Sequence, residues 1–146
     1  MLTNECEKLW IFVWGAHMRE ILIVEDEEDL INIIGTVLMD EGYKVTKSSS
    51  AEEALLLCQT VRPDLIISDI KMGSMDGFDL LEKIKASDLL KKVPFVFLTS
   101  FDESQAKKKG LRLGAAAYVT KPFDIDDLLE KIRELAPPDT HLPKIP

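Results

Sequence analysis

The sequence predicts an α/β fold in which a five-stranded parallel sheet is covered by helices on both faces. Between residues 18 and 135, short apolar runs alternate five times with segments whose apolar residues recur at helical spacing. Parallel strands need crossover connections, which helices supply, and right-handed crossovers place helices on both faces of such a sheet. The length of 146 residues corresponds to one domain.

Three strands and two helices are predicted in the first half of the chain. In order, they are a strand over 20–24, a helix over 27–41, a strand over 44–47, a helix from 51 to about 61 and a strand over 64–69. Gly42 ends the first helix, because glycine readily adopts the left-handed conformation that follows helix C-termini. Ser50 and Glu53 have the spacing of a capping box, which opens the second helix.

Two strands and three helices are predicted in the second half. In order, they are a helix from 77 to about 86, a strand over 94–99, a helix to about 113, a strand over 116–120 and a helix over 125–135. Asp76 and Asp124 are predicted N-caps, because aspartate accepts hydrogen bonds from the first free amides of a helix. Lys107, Lys108 and Lys109 lie on the fourth helix, where they form either a solvated face or a docking surface.

The two ends of the chain differ from the middle. Residues 1–17 contain both tryptophans and a six-residue apolar run, which is too short to span a bilayer and follows acidic residues, unlike a signal peptide. We predict an N-terminal extension over 1–17, either a cloning scar or a mis-assigned start before Met18. The alternative is an extension that packs on the domain or on a partner. Residues 18–135 form the domain, and 136–146 form a Pro-rich C-terminal tail.

Composition and charge exclude several classes of function. Eighteen Lys and Arg against 26 Asp and Glu give a net charge of −8, which argues against direct nucleic-acid or membrane binding because both partners are polyanions. Cys6 and Cys58 lack the spacing of a zinc site or disulfide scaffold, so we expect free thiols and a cytoplasmic protein. His17 and His141 lie near the ends, which excludes a mechanism based on a histidine in the core.

Polar side chains follow four of the five predicted strands. They are Glu25 and Asp26 after the first strand, Asp69 after the third, Thr99 at the end of the fourth and Lys121 after the fifth. In parallel α/β sheets, ligands bind at the carboxyl ends of the strands. We therefore expect these side chains to meet at one edge of the sheet.

Three carboxylates at one edge require a compensating charge. Two unit charges 4 Å apart repel by about 4 kcal/mol at an effective dielectric constant of 20, so a cation binds or one carboxyl stays protonated. An all-oxygen set with few ligands suits Mg²⁺, which keeps several waters and binds beside phosphate. With a lysine and a threonine, this set supplies the parts for phosphoryl transfer onto an aspartate. Asp69, a single acid at the end of an apolar strand, is the predicted nucleophile.

Four segments carry a resemblance to a known family. They are ILIVEDEEDL, PDLIISDIKMGSMDGFDLL, VPFVFLTS and AAAYVTKPF, with 43 residues from Asp26 to Asp69, 30 more to Thr99 and 22 more to Lys121. In these motifs and their spacing, residues 19–135 resemble the response regulator receiver domain of two-component signalling, of the CheY-like superfamily, in its single-domain form. The resemblance covers about 80% of the chain. It implies a flavodoxin-like (βα)5 fold with strand order 2-1-3-4-5.

The resemblance implies a phosphoacceptor. Asp69 would take a phosphoryl group from a phosphohistidine on a sensor histidine kinase or histidine phosphotransfer protein, and the signal would pass to an unknown downstream protein target. Glu25, Asp26 and Asp69 would hold Mg²⁺, with the backbone carbonyl of Lys71 as a further ligand. The protein would be a signalling domain rather than an enzyme, promoting only its own phosphorylation and dephosphorylation.

The same resemblance assigns the switch. Thr99 would hydrogen-bond the acyl phosphate, and Lys121 would pair with its oxygens, its backbone placed by a cis bond to Pro122. Tyr118 matches the aromatic residue that moves inward when the threonine moves. Together these changes would shift the face made by the fourth helix, fifth strand and fifth helix.

Departures from the family pattern suggest slow dephosphorylation. Glu25 stands where the family more often has aspartate, and its longer side chain is expected still to reach the metal. Gly73 replaces a common proline, which loosens the loop beside Asp69. Lys71 and Phe101 occupy positions that tune dephosphorylation in the family. Because phenylalanine cannot position a hydrolytic water and lysine can shield the phosphate, we predict a slow autophosphatase.

One apolar residue of the first helix is predicted to face solvent. Packing this helix through the apolar positions Leu30, Ile34, Val37 and Leu38 leaves Ile31 exposed. In the family that the chain resembles, this helix docks histidine-containing partners.

Three alternatives stay open. A degenerate receiver would bind partner proteins without being phosphorylated. An aspartate-nucleophile phosphatase would need an acid two residues after Asp69, where Lys71 stands. A flavin or nucleotide binder would need a phosphate-binding loop after the first strand, where the acidic run 25–28 would repel phosphate.

Overall fold

The structure is a computed structural model that describes residues 18–101 and 103–138. Its elements are β1 (Glu20–Val24), α1 (Glu28–Asp40), β2 (Lys44–Ser48), α2 (Ala51–Leu57), β3 (Leu65–Ser68), α3 (Gly77–Ala86), β4 (Phe95–Thr99), α4 (Ser104–Arg112), β5 (Ala117–Thr120) and α5 (Ile125–Leu135). The strands form one parallel sheet in the order β2-β1-β3-β4-β5, which confirms the predicted fold class. The predicted extension over 1–17 and the tail from 139 lie outside the described residues, so the domain boundaries stay a prediction.

The helices cover both faces of the sheet and form two apolar clusters. Alternate residues of β1 divide between them: Leu22 and Val24 pack with α2 and α3, whereas Ile21 and Ile23 pack with α1 and α5. This division follows from the two-residue period of a strand. Among the described residues, no helix is long and apolar enough to cross a membrane.

The second helix is shorter than its sequence pattern predicts. It ends at Leu57 rather than near residue 61, because its last turn tightens into i→i+3 hydrogen bonds and Pro63 follows. The Arg62 guanidinium donates to the Cys58 carbonyl and satisfies one of the free acceptors at the helix end. At the other end, Ser50 caps the helix by accepting from the Glu53 amide, as predicted. The Glu53 carboxylate instead accepts from the Ser49 hydroxyl.

The prediction that Ile31 faces solvent was wrong. Ile31 is only 7% exposed and packs in the cluster shared with α5, whereas Ile33 is 58% exposed. The buried stripe of α1 therefore runs through Ile31, Ile34 and Leu38, at i, i+3 and i+7. Leu30 lies at the margin of this stripe and is only partly buried.

Candidate functional site

The carboxyl ends of the central strands bring the predicted site residues to one edge. Backbone hydrogen bonds continue the sheet beyond the strands: the Asp69 amide donates to the Val24 carbonyl at 3.1 Å, and the Lys121 amide donates to the Thr99 carbonyl at 2.8 Å. On the other side of β1, the Glu25 amide donates to the β2 carbonyl of Ser48. The side chains that follow these strands are thus held at the same level of the sheet.

Lys121 joins two of the acids. Its ammonium nitrogen lies 2.6 Å from Glu25 Oε1 and 3.1 Å from Asp69 Oδ2. All three side chains are largely shielded from water, with exposures of 5% for Glu25, 12% for Asp69 and 19% for Lys121. Ion pairs in such shielded positions are screened by salt less than surface pairs are. The peptide bond between Lys121 and Pro122 is cis, as the resemblance implies.

Burial and pairing shift the protonation equilibria of this site. Burial raises the pKa of the Glu25 carboxyl, although the hydrogen bond from Lys121 opposes this change. Burial would also lower the pKa of the Lys121 ammonium, but its hydrogen bonds to Glu25 and Asp69 outweigh that effect and raise it. The lysine therefore stays charged and provides a fixed positive charge between the two carboxylates.

The three acids fit a hard divalent cation. One carboxylate oxygen from each of Glu25, Asp26 and Asp69 lies within 4.8 Å of the others. The second Glu25 oxygen accepts from the Asp26 amide at 3.0 Å, and Asp69 Oδ1 accepts from the Ile70 amide at 2.6 Å. Each carboxylate oxygen has a further lone pair. An acidic, all-oxygen set of this kind suits Mg²⁺ or a similar ion.

Two residues near Asp69 contact each other. The Lys71 ammonium lies 4.9 Å from the centroid of the Phe101 ring, which brings the loop after β3 against the loop after β4. Lys71 is exposed to solvent, whereas Phe101 is half-buried. The metal-binding role of the Lys71 carbonyl stays a prediction.

Gly77, which the sequence pattern did not single out, packs closely against the backbone of Asp69. A Cβ atom at Gly77 would lie 2.2 Å from the Asp69 carbonyl oxygen and 3.0 Å from Ile70 Cα. The Gly77 amide also donates to the Ile70 carbonyl at 2.8 Å. The sequence signal was a glycine in the first turn of a helix, where it costs stability unless close approach requires it. Asp76, predicted as the N-cap, forms a full capping box with Asp79.

Thr99 and Tyr118 lie on the side of the site toward α4. Thr99 is fully buried, and its hydroxyl accepts from the Phe101 amide at 3.3 Å. Tyr118 is half-buried, and its hydroxyl donates to the Phe101 carbonyl. Both predicted switch residues therefore contact the backbone of the same residue.

Two aromatic rings that the sequence did not point to, those of Phe97 and Phe78, extend from Tyr118 across β4. The Phe97 ring centroid lies 5.9 Å from that of Tyr118 and 5.3 Å from that of Phe78, which belongs to α3. Such tilted and edge-on contacts are favourable arrangements of aromatic pairs. The rings link the Tyr118 side of the site to the first turn of α3.

The fold and the site together define a CheY-like signalling domain. The parallel sheet has the order 2-1-3-4-5, acids lie at the carboxyl ends of β1 and β3, and a lysine follows β5. The family model of the response regulator receiver domain matches residues 21–133. The chain belongs to this family.

Relatives support this assignment. The chain is 34% identical over 80% of its length to the alkaline phosphatase synthesis transcriptional regulatory protein PhoP of Bacillus subtilis, and 37% identical over 81% of its length to the response regulator SaeR of Staphylococcus aureus. These matches cover 48% and 50% of the two relatives. The chain thus spans about half the length of the curated relatives it matches.

Solved structures have the same fold. The chemotaxis response regulator CheY4 of Vibrio cholerae matches with a TM-score of 0.76 and 30% identity, over 81% of this chain and 98% of that one. The receiver domain of the sensor histidine kinase PA1611 of Pseudomonas aeruginosa matches with a TM-score of 0.74 and 27% identity, over 81% and 97%. That domain was solved with a magnesium ion coordinated in its active site cleft.

Proposed function

We propose that Asp69 accepts a phosphoryl group from a phosphohistidine on a sensor histidine kinase or histidine phosphotransfer protein. The observation that carries this proposal is the contact of one ammonium group, that of Lys121, with both Asp69 and Glu25. A third acid, Asp26, completes an acidic cluster at the same point. The edge of the sheet thus combines a nucleophile, a fixed cation and a set of metal ligands.

Asp69 is held as a nucleophile by two contacts. One carboxylate oxygen accepts from the Ile70 amide and the other from Lys121, which fixes the plane of the carboxylate. In the transfer, an Asp69 oxygen forms a bond to phosphorus while the bond from phosphorus to the histidine nitrogen breaks, and that nitrogen keeps the electron pair. The Lys121 ammonium then pairs with the phosphoryl oxygens, whose charge develops beside it. The buried Thr99 hydroxyl donates to another of these oxygens.

Glu25, Asp26 and Asp69 would hold Mg²⁺ together with the Lys71 carbonyl. When bound, the ion neutralises charge on the phosphoryl oxygens. The closeness of the three carboxylates supports this role, and the similar PA1611 receiver domain has magnesium in its cleft. Glu25, which stands in place of the more usual aspartate, also pairs with Lys121, so this residue would position the lysine as well as hold the metal.

Phosphorylation would act on Thr99 and Tyr118 through a change of charge. The new group adds about 1.5 to 2 negative charges at the site, and Thr99 reorients toward its oxygens. Because Thr99 and Tyr118 both hydrogen-bond the backbone of Phe101, this movement changes the packing of Tyr118. The face formed by α4, β5 and α5 then shifts between two populations. That face is the proposed contact for the downstream protein target.

The contact between Lys71 and Phe101 supports a slow loss of the phosphoryl group. The Lys71 ammonium lies 4.9 Å from the centroid of the Phe101 ring, in a contact between the loops that follow β3 and β4. Substitution of Phe101 by Asn, which can orient water, is expected to shorten the lifetime of the phosphorylated protein about tenfold. The time course of intact mass after removal of the phosphodonor measures this lifetime. A wild-type lifetime of only seconds would contradict the proposal.

The partners and location follow from this chemistry. The predicted contacts are with a kinase or phosphotransfer protein and with a downstream protein, and direct contact with nucleic acid or membrane is not expected for a chain with a net charge of −8. We place the protein in the cytoplasm, where histidine-kinase catalytic domains and free thiols are found together.

Intact mass after incubation with acetyl phosphate and Mg²⁺ tests the proposal. Wild-type protein is expected to gain one phosphoryl group, whereas Asp69→Asn, which keeps the shape of the side chain, gains none. Asp76→Asn is the matched control, because Asp76 is an N-cap outside the site and asparagine also caps helices well. Chelation of the metal is expected to abolish the gain in wild-type protein.

A degenerate receiver would give a different result. Folded wild-type protein would gain no phosphoryl group from acetyl phosphate or from a phosphorylated histidine phosphotransfer protein. A gain that persists in the Asp69→Asn variant would place the modification elsewhere and would also contradict the proposal.

A further inference from the structure

A groove beside α4 has a basic rim and an apolar floor. It has a volume of about 760 Å³ and is lined by Phe78, Glu103, Gln105, Ala106, Lys108, Lys109, Arg112 and Leu113. Its lining comes from the first turn of α3 and from α4 with its flanking residues. Among the described residues, none from β5 or α5 lines it. The groove therefore lies on the α3 side of α4 and shares only α4 with the α4-β5-α5 face.

The charge of this region is opposite to that of the chain. Between residues 83 and 112 the sequence has eight Lys or Arg against three Asp or Glu, although the whole chain has a net charge of −8. Lys108, Lys109 and Arg112 place three of these cations in the groove. A cleft lined with one sign of charge attracts ligands of the other sign.

The floor favours a protein ligand over a polynucleotide. Phe78 is 9% exposed, and Ala106 and Leu113 are partly buried beside it in the apolar cluster. The Lys109 ammonium lies 4.5 Å from the centroid of the Phe78 ring, so the rim charge and the apolar floor are adjacent. Glu103 also lines the groove, so an acidic ligand would direct its carboxylates toward the cations of α4 and away from this residue.

We propose that this groove docks an acidic, amphipathic segment of a partner protein, with apolar side chains on Phe78 and carboxylates on Lys108, Lys109 and Arg112. This is the recognition mode in which one apolar face of a segment enters a groove while its charged face meets the rim. The proposal does not depend on the chemistry of Asp69.

A designed peptide tests the groove. The probe is a fluorescein-labelled peptide of about 16 residues with leucines at i, i+3, i+4 and i+7 and glutamates between them. A second peptide has the same composition in an order that destroys the apolar face. Fluorescence anisotropy with unphosphorylated protein at about 0.15 M salt keeps the test independent of phosphorylation. The patterned peptide is expected to bind about tenfold more tightly than the scrambled one.

Two neighbouring lysines supply a matched pair of variants. Lys108→Glu reverses a charge inside the groove, whereas Lys107→Glu makes the same change one residue away and outside it. Both residues are exposed, so both variants are expected to fold. Lys108→Glu is expected to weaken peptide binding at least about fivefold, and Lys107→Glu by less than about twofold.

Four outcomes would overturn the proposal. The first is the absence of saturable binding of the patterned peptide. The second is equal affinity for both peptides, together with an equal loss of affinity in Lys108→Glu and Lys107→Glu. The third is tighter binding of a duplex oligonucleotide that Lys108→Glu removes, which would assign the groove to a polynucleotide. The fourth is concentration-dependent self-association in sedimentation velocity that Lys108→Glu removes, which would assign it to a second copy of this chain.

Discussion

Helices α4 and α5 flank the same strand, β5, but are attached to the domain in different ways. α5 buries Leu128, Leu129 and Ile132 under the sheet, whereas Gly110 is the only buried residue of α4. Buried apolar area is the main source of attachment for a surface helix. We therefore expect α5 to belong to the stable core, and α4, which has little apolar anchoring, to change position more readily.

The contacts at the ends of the two helices extend this contrast. The Tyr43 hydroxyl donates to the Ala136 carbonyl at 2.7 Å in a buried position, which closes the end of α5 onto the turn after α1. The loop before α4 is held by the bond from Tyr118 to the Phe101 carbonyl, beside the site itself. One helix is therefore fastened away from the site, and the other is fastened by a residue of the proposed switch.

Core truncation in the two helices should give the largest difference. Ile132→Ala in α5 is expected to lower the free energy of unfolding by about 2–5 kcal/mol, because it leaves a cavity under a fully buried side chain. Leu111→Ala in α4, at a residue 44% exposed, is expected to change it by about 0.5 kcal/mol or less. Urea unfolding measures both values. Equal losses would refute the difference in anchoring.

The hydrogen bond from Tyr43 that holds the end of α5 should also depend on pH. Burial raises the pKa of Tyr43 to about 12 from an ordinary value of 10.0. The folded state therefore favours the neutral phenol over the ionised form. The stability that Tyr43 contributes in this way is complete below pH 10 and is lost as the pH rises toward 12. Tyr43→Phe is expected to lower stability by about 1–3 kcal/mol at neutral pH.

The difference between wild type and Tyr43→Phe should shrink above pH 10. Urea unfolding of both proteins between pH 8 and about 11 checks this, since other groups that titrate in the range affect both equally. A difference that stays constant with pH would show that Tyr43 does not couple ionisation to folding.

Hydrogen exchange should separate the helices without mutation. Amides of α4 are expected to be at least about tenfold less protected than those of α5, because α4 can open without exposing a large apolar surface. Exchange measured by mass spectrometry on peptides from each helix reports this ratio. Similar protection in both would mean that they open only with the whole domain.

Tyr118→Phe should give the smallest effect, confined to the loop before α4. The variant loses the hydroxyl bond to the Phe101 carbonyl but keeps the ring beside Phe97. If the hydrogen bond contributes about 1 kcal/mol to the stability of this loop, its loss corresponds to about fivefold faster amide hydrogen exchange in the loop before α4. α5 should be unchanged, so an equal increase there would contradict a local role for the bond.

The strands and caps could be predicted because local physics determines them. β1, β3 and β4 are apolar runs buried on both faces, and Asp76 and Asp124 cap helices through their own side chains. The acids and the lysine could be brought together because the ends of parallel strands share an edge.

Features that depend on tertiary packing could not be predicted in this way. Ile31 and Ile33 are chemically alike, and only the packing of α1 against α5 decides which one is buried. Gly77 is required by the backbone of Asp69, and Lys71 meets Phe101 across two loops. The residue pattern within one segment does not show which residues of another segment it will contact in the folded protein.

The ring of Phe78 is the point at which the proposed groove and the proposed switch meet. It forms the floor of the groove and packs on Phe97, which in turn packs on Tyr118. Binding free energies are reciprocal. A segment that prefers the groove in the phosphorylated form would therefore stabilise that form by the same factor, and the occupant of the groove would help to set how long the signal lasts.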